Sequence, residues 1–397
     1  MSHTSPQYAA LAQDAYNARQ RGEVVPLNGV NYEVLKHVDR GGYQGTIYQR
    51  VDTGEIVVAH RGTEPDRQLV RDGYTDARMV FNRVNNQADD AIALTRDARD
   101  IARANGQSPN SVAVTGHSLG GTLAQISAHH YDLRGETFNA YGAASLNMRI
   151  PASDTAKVTN HVMASDVVSA ASPHYGRVKV YAEQKEIDVL RDKGYENTRS
   201  GLDARNPITA AAKLAGDAHA MTHFSDPRHS VLTDPKARKL ADDYDPMIDK
   251  FRGDIGAMRR GLTIGSRGIE GLGKDAIDSI RGSVPAGEPG RREEERERRQ
   301  HRSHETGERL HPAPGVRLGL NDDPSAMVDR MLAAAQSGDR DAFRQATQNA
   351  AAAEPGRNLR QEAVATVDRQ EQQALAQQAQ KPQVEQPDAP SRGPRMA

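Results

Sequence analysis

The chain has 397 residues, which at about 150 residues per domain is enough for two or three folding units. Its formal net charge of −1 excludes a protein that binds nucleic acids or membrane surfaces through its overall charge. The absence of cysteine excludes disulfides, thiolate metal sites and cysteine nucleophiles.

The N-terminal residues carry no recognisable export signal. They lack the basic region and the apolar core of a secretory signal peptide. No apolar run in the sequence approaches the roughly 20 residues that span a bilayer. We therefore expect a protein that is exported by a route that needs no cleavable signal peptide, or that otherwise stays in the cytoplasm.

Strand and helix patterns alternate along the first part of the chain. Apolar residues every three or four positions predict helices at residues 5–21, residues 84–105 and the run that begins at Leu119. Runs rich in β-branched and aromatic residues predict strands at residues 32–38, 43–51, 55–60, 112–115, 137–141, 157–164 and 176–182. This alternation predicts an α/β domain over residues 5–232, with a mostly parallel sheet flanked by helices.

The composition changes after this domain. Residues 233–282 keep a weak helical period but contain many glycines, so we interpret them as a helical extension. Residues 283–315 mix acidic and basic residues between prolines, which is typical of a solvated linker and not of a nucleic-acid-binding patch. Helical patterns predict a separate small helical region over residues 316–380, and the proline-rich residues 381–397 predict a disordered tail.

The segment from Gly116 to Gly120 reads Gly-His-Ser-Leu-Gly and joins a predicted strand to a predicted helix. This is the strand–turn–helix context of the nucleophile elbow G-x-S-x-G. The turn forces its serine into strained backbone angles, and the two glycines remove Cβ atoms that would collide with the strand or the helix. The pattern predicts Ser118 as a catalytic nucleophile, whereas a chance Gly/Ser turn is the structural alternative.

A serine nucleophile needs an orienting acid, which in α/β-hydrolases follows a later strand. Asp166 stands just after the predicted strand over residues 157–164, where such sheets place functional side chains. Asp154 precedes that strand, and Asp188 lies inside a charged helical pattern. Position along the chain therefore favours Asp166.

The base should be a histidine further downstream. His219 and His223 both qualify, and their spacing of four residues places them on one face of a helix. The same spacing suits zinc, but no glutamate follows His219 to complete the H-E-x-x-H pattern, so we predict no metal. The residues alone leave the choice between the two histidines open.

An oxyanion hole is expected from two backbone N–H groups. The segment from His60 to Thr63 ends a predicted strand, and its glycine allows the chain to turn toward the nucleophile. The N–H groups of Thr63 and Leu119 are the natural pair. An ordinary strand-to-loop turn is the alternative interpretation of this segment.

Together these segments resemble the class 3 lipase family over residues 5–232. The resemblance is carried by Arg61-Gly-Thr63, by Gly116-His-Ser-Leu-Gly-Gly121, by Ala164-Ser-Asp-Val-Val168 and by His219-Ala-Met-Thr-His-Phe224. It implies an α/β-hydrolase fold, a Ser118–Asp166–His219 triad with His223 as the alternative base, an oxyanion hole at Thr63 and Leu119, and no cofactor.

The C-terminal region has a resemblance of its own. The helical patterns after residue 323 and the glutamine-rich stretch after residue 370 are similar to the C-terminal region of xanthomonad type IV secretion effectors. That resemblance implies a secretion coupling protein that reads residues 316–397, delivery into target cells, and a neutralising immunity protein.

The leading hypothesis is a serine ester hydrolase that cleaves acyl esters of lipids, above all phospholipids, at a membrane surface. The polar segment over residues 64–74 favours amphiphilic lipids over neutral triglycerides. The alternatives are a non-catalytic interaction protein on a hydrolase-like fold and a carboxylesterase that acts on soluble esters. No nucleic-acid partner is expected.

Overall fold

The computed structural model describes residues 3–40, 42–62, 77–146, 148–260 and 283–287. The strands are β1 (Val24–Leu27), β2 (Val30–Arg40), β3 (Tyr43–Arg50), β4 (Ile56–His60), β5 (Ala113–His117), β6 (Arg134–Phe138), β7 (Val158–Met163) and β8 (Arg177–Tyr181). The α-helices are α1 (Ser5–Asp14), α2 (Ala77–Ala104), α3 (Leu119–Tyr131), α4 (Val167–Ala170), α5 (Gln184–Asp192), α6 (Pro207–Ala218), α7 (Thr222–Ser225), α8 (Pro235–Asp243) and α9 (residues 245–260).

The described strands form one sheet in chain order from β1 to β8. The pairings from β1 to β4 are antiparallel, and those from β4 to β8 are parallel. The predicted α/β fold with a mostly parallel sheet and flanking helices is confirmed. The short edge strand β1 was missed because Pro26, which an edge strand tolerates, interrupts its pattern.

Helices cover both faces of the sheet, as the alternation along β4 shows. Val58 packs into a core cluster with α2 and α3, whereas Val57 and Ala59 point to the opposite face and pack with α1. Side chains of a strand alternate between faces, so a continuous apolar strand such as β4 requires both faces to be covered.

A third core cluster lies around α5, α6 and α9. It contains Val167 of α4 and Leu214 of α6 together with Phe251 of α9, and all three are buried. Residues 233–260 of the predicted helical extension therefore pack against the α/β body. Residues 261–282 of that extension lie outside the described ranges.

Two predicted helix boundaries differ from the structure. The first helix ends at Asp14 and not at residue 21, because Asp14 is buried and accepts hydrogen bonds from Asn17 and Arg19, which turn the chain. The helix predicted over residues 84–105 begins seven residues earlier, at Ala77, and ends at Ala104.

The short segment 283–287 lies against the body at the C-terminal end of α3. The Val284 N–H donates to the Arg149 carbonyl, and the Gly287 N–H donates to the His129 carbonyl. The helical region predicted over residues 316–380, the tail 381–397 and the linker beyond residue 287 lie outside the described ranges.

Candidate active site

The turn between β5 and α3 holds Ser118 in a strained conformation. Its φ of 56° and ψ of −126° lie in a region that side-chain-bearing residues rarely occupy. A Cβ at Gly116 would come within 2.4 Å of the Gly120 carbonyl carbon, and a Cβ at Gly120 within 2.1 Å of the His60 carbonyl oxygen. Both glycines are therefore required by packing, and the turn presents Ser118 at the end of the parallel strands.

The structure brings three predicted residues into one hydrogen-bonded chain. The Ser118 hydroxyl lies 2.9 Å from His219 Nε2, and His219 Nδ1 lies 2.9 Å from Asp166 Oδ1. Because Asp166 Oδ1 can only accept, Nδ1–H donates to it and Nε2 is left to accept the serine proton. His219 caps the C-terminus of α6 and is 4% exposed, and Asp166 is fully buried.

His223 lies elsewhere in the same region. Its Nε2 donates to the Asp217 carbonyl at 2.9 Å, and its Nδ1 lies 3.1 Å from Glu183 Oε1. The structure therefore places His219, and not His223, beside Ser118. The two rival acids do not belong to the hydrogen-bonded group of Ser118, His219 and Asp166. Asp154 is exposed in a turn, and Asp188 is exposed on α5.

Asp166 is held by the first turn of α4, which it caps. Its side chain accepts the Val168 N–H at 3.3 Å and the Ser169 N–H at 2.9 Å. Burial raises the pKa of Asp166, but the charge and hydrogen bond of His219 and the bonds from Ser169 outweigh burial, and the net pKa is below its ordinary value. Asp166 is therefore ionised at neutral pH and can stabilise a protonated His219.

His117 of the elbow braces His219, a role that sequence reasoning missed. Its Nε2–H donates to the His219 carbonyl at 2.9 Å, and its Nδ1 accepts from the Tyr16 hydroxyl at 2.8 Å. Burial, together with the nearby His219, lowers the pKa of His117 to about 3. The ring is thus neutral at working pH and fixes the backbone of His219, whose ring centroid is 4.9 Å from its own.

The structural role of Asn139, which directly follows β6, was also not predicted from the sequence. Its amide nitrogen donates to the Ala218 carbonyl at 2.8 Å, and its side-chain oxygen accepts the Met163 N–H at 2.9 Å. Asn139 has a positive φ of 43°, a conformation that asparagine tolerates better than most residues. It joins the strand that precedes Asp166 to the helix that ends at His219.

The predicted oxyanion hole is only partly described. Leu119 begins α3, so its N–H lies at the N-terminus of a 13-residue helix, where negative charge is favoured. Thr63 lies outside the described residues. Its neighbour Gly62 lies directly against the elbow, since a Cβ there would be 2.6 Å from the His117 carbonyl oxygen and 3.3 Å from Ser118 Cβ.

The described part of the chain was also searched for metal sites and for membrane-spanning helices. Among its residues, no group of three or more histidine, aspartate or glutamate side chains is arranged to hold a metal ion. None of its helices combines the length and the apolar character that crossing a bilayer requires.

Comparison with known proteins gives one match at the level of a family. The family described as the Tle-like phospholipase domain matches residues 7–236, more than half of the chain and all three residues of the hydrogen-bonded chain. A search among curated proteins found no match.

Several solved structures are similar to this chain. The Lip2 lipase from Yarrowia lipolytica is 17% identical, with a TM-score of 0.31, over 45% of this chain and 76% of that one. A lipase from Rhizopus microsporus var. chinensis is 18% identical, with a TM-score of 0.34, over 44% of this chain and 72% of that one. The Rhizomucor miehei lipase in its propeptide complex is 14% identical, with a TM-score of 0.33, over 46% and 68%.

Proposed function

Because this chain belongs to the family of the Tle-like phospholipase domain, we propose that it hydrolyses the acyl esters of phospholipids through an acyl-enzyme on Ser118. At the coarser level, the chain is a carboxylic ester hydrolase of the lipase and phospholipase type. The main support for the proposal is the pair of hydrogen bonds that links Ser118 to His219 and His219 to Asp166 inside the matched segment.

The geometry supports a two-step acyl transfer. Ser118 Oγ attacks the ester carbonyl carbon while its proton moves to His219 Nε2, and Asp166 stabilises the imidazolium that forms. The Leu119 N–H donates to the oxyanion, and we propose that the Thr63 N–H is its second donor. His219 then returns the proton to the leaving lysophospholipid hydroxyl, and water activated by His219 releases the fatty acid.

The alternative of a non-catalytic interaction protein leaves these features unexplained. A hydrolase fold without activity has no need for a serine in strained backbone angles, a base within hydrogen-bond reach and a buried ionised acid. The proposal therefore assigns the matched segment an enzymatic role.

The proposal is tested with phospholipid vesicles whose products are identified by mass. We expect the wild-type chain to release fatty acid and lysophospholipid, and Ser118→Ala to lower turnover by about four to six orders of magnitude. The matched control is Ser127→Ala, the same chemical change on α3 at a buried position, which should keep wild-type turnover.

Other outcomes would select the alternatives. Cleavage of soluble esters without release from vesicles would identify a carboxylesterase on soluble substrates. Equal release by wild type and Ser118→Ala would contradict the catalytic assignment altogether.

We also propose, on the sequence resemblance alone, that the protein is a secreted antibacterial effector. Residues 316–397 would address it to a secretion coupling protein, and an immunity protein would protect the producing cell. Removal of residues 316–397 should abolish export and leave hydrolysis in vitro intact. Retained export of the truncated chain would contradict this address function.

A further inference from the structure

Helix α9 begins after the segment that the phospholipase family matches, which ends at residue 236. Its apolar side chains nevertheless lie in the same core cluster as Val167, the residue after the catalytic acid, and Leu214 of the helix that ends at His219. Phe251 is fully buried there and Ile255 is 1% exposed. The helix therefore packs directly behind the acid and base of the triad.

Arg252 of α9 reaches into the loop that carries the catalytic acid. Its Nη1 donates to the Met163 carbonyl at 3.2 Å and to Ser169 Oγ at 3.3 Å, and its Nη2 donates to the Ser169 carbonyl at 3.1 Å. Asp166 lies midway between Met163 and Ser169 in the sequence. One guanidinium thus holds both ends of the turn that presents the acid.

The same helix is tied to the segment that leads to the base. Asp254 accepts hydrogen bonds from Arg205 Nε at 2.7 Å and from the Tyr195 hydroxyl at 3.0 Å. Lys250 pairs with Asp203. The loop that contains these partners runs into α6, and His219 caps the C-terminus of α6. Helix α9 is therefore bonded to the segments that carry both Asp166 and His219.

The charges around Arg252 are mainly negative. Asp166, Asp249 and Glu186 each act on the guanidinium electrostatically, and the neutral ring of His174 lies near it. Glu186 in turn accepts hydrogen bonds from the N–H and the hydroxyl of Ser165, the residue before Asp166. The Arg252 cation thus interacts electrostatically with the acid of the proposed triad.

We propose that Arg252 is a positioning residue for hydrolysis, which fixes the Asp166 turn and supplies a cation beside the acid–base pair. Helix α9 then belongs to the catalytic unit although it lies beyond the matched family segment. The inference rests on the triad of the proposed function but not on phospholipid as the substrate.

The test compares Arg252→Met and Arg252→Lys with the wild type and with Lys239→Met. Lys239 is exposed and pairs with Asp243 on its own helix, so its variant removes the same charge without touching the Asp166 turn. The measurements are the rate at which a fluorophosphonate labels Ser118, and kcat, KM and the pH profile with a soluble p-nitrophenyl ester.

We expect Arg252→Met to lower kcat by about 10- to 100-fold, because small displacements of a triad cost this much. KM should stay within about threefold, since no contact with substrate is removed. The acidic limb of the kcat/KM profile should move to higher pH, because loss of a nearby cation favours the protonated base. Arg252→Lys keeps the charge, so it should recover part of kcat and leave the limb in place.

A folded Arg252→Met variant with wild-type kcat, or with reduced kcat and an unmoved pH profile, would overturn the proposal. If circular dichroism shows that this variant does not fold, Arg252→Lys decides: slower labelling of Ser118 supports the proposal, and wild-type labelling overturns it. A wild-type chain that leaves phospholipid vesicles intact would contradict the proposed substrate, and the Arg252 comparison would still be informative.

Discussion

His219 and His223 show how two identical residues on one short segment come to have different roles. His219 caps α6, with one ring nitrogen on a buried carboxylate and the other on the nucleophile. His223 lies one turn further on, in α7, where its ring bonds a backbone carbonyl and the half-buried Glu183. The turn between α6 and α7 separates the two rings, so helical spacing alone is misleading here.

This difference predicts opposite outcomes for two alanine variants. His219→Ala removes the only base within reach of Ser118 in the described part of the chain, and turnover on vesicles should fall by about four to six orders of magnitude. His223→Ala should keep turnover within about tenfold, because its contacts concern the fold around Glu183. The labelling rate of Ser118 with a fluorophosphonate checks both variants without a lipid. A large loss for His223→Ala with little change for His219→Ala would reverse the assignment.

At the scale of elements, the turns at Ser118 and Asp166 could be located from the sequence because their signals are local. Three signals lie within about a dozen residues: a β-branched run, two glycines around a serine, and a following helical pattern. Each of them predicts one part of the same strand–turn–helix unit. The placement of Asp166 at the same edge of the sheet as Ser118 could be predicted from its position after β7, since parallel strands present functional side chains at their C-terminal ends.

The contacts that support the hydrogen bonds among Ser118, His219 and Asp166 could not be predicted, because they join residues far apart in the sequence. Tyr16 bonds His117 across 101 positions, and Arg252 bonds Met163 across 89. A tyrosine near a helix end and an arginine in a glycine-containing stretch carry no local mark of their partners. Glycines further along that stretch lowered the helix propensity expected from the sequence. In the structure, Phe251 and its neighbours bury one face of α9, and this burial stabilises the helix more than its low propensity destabilises it.

At the scale of the whole molecule, the fold buries several histidines in their neutral form. His3, His60, His117 and His174 are between 0% and 7% exposed. Burial is the largest cause that lowers their pKa values, to about 4 for His3, 3 for His60, 3 for His117 and 4 for His174. They lie at separate places in the sheet and its covering layers, so their titration affects the fold as a whole and not one site.

The folded chain should therefore lose stability as the pH falls from about 6.5 to about 4. In that window the unfolded chain binds protons at these histidines and the folded chain does not, which favours unfolding by up to about 1.4 kcal/mol per pH unit for each histidine. The buried acids with lowered pKa values, such as Asp166, add their own loss only at lower pH, below the ordinary carboxyl range.

Thermal unfolding between pH 7.5 and pH 5 measures this effect directly. We expect Tm to fall by about 15–30 °C over the interval, because the four histidines together lose up to about 8 kcal/mol between pH 6.5 and pH 5, and each kcal/mol changes the Tm of a domain this large by about 2–4 °C. His3→Phe should reduce the slope, since phenylalanine keeps the ring contacts of His3 with Tyr8 and Tyr32 and removes the titrating group. His229→Phe is the matched control, because the side chain of His229 is 81% exposed and its loss should leave the slope unchanged. A Tm that is flat over this interval, or equal slopes for His3→Phe and the wild type, would show that the buried histidines do not set the acid sensitivity of the fold.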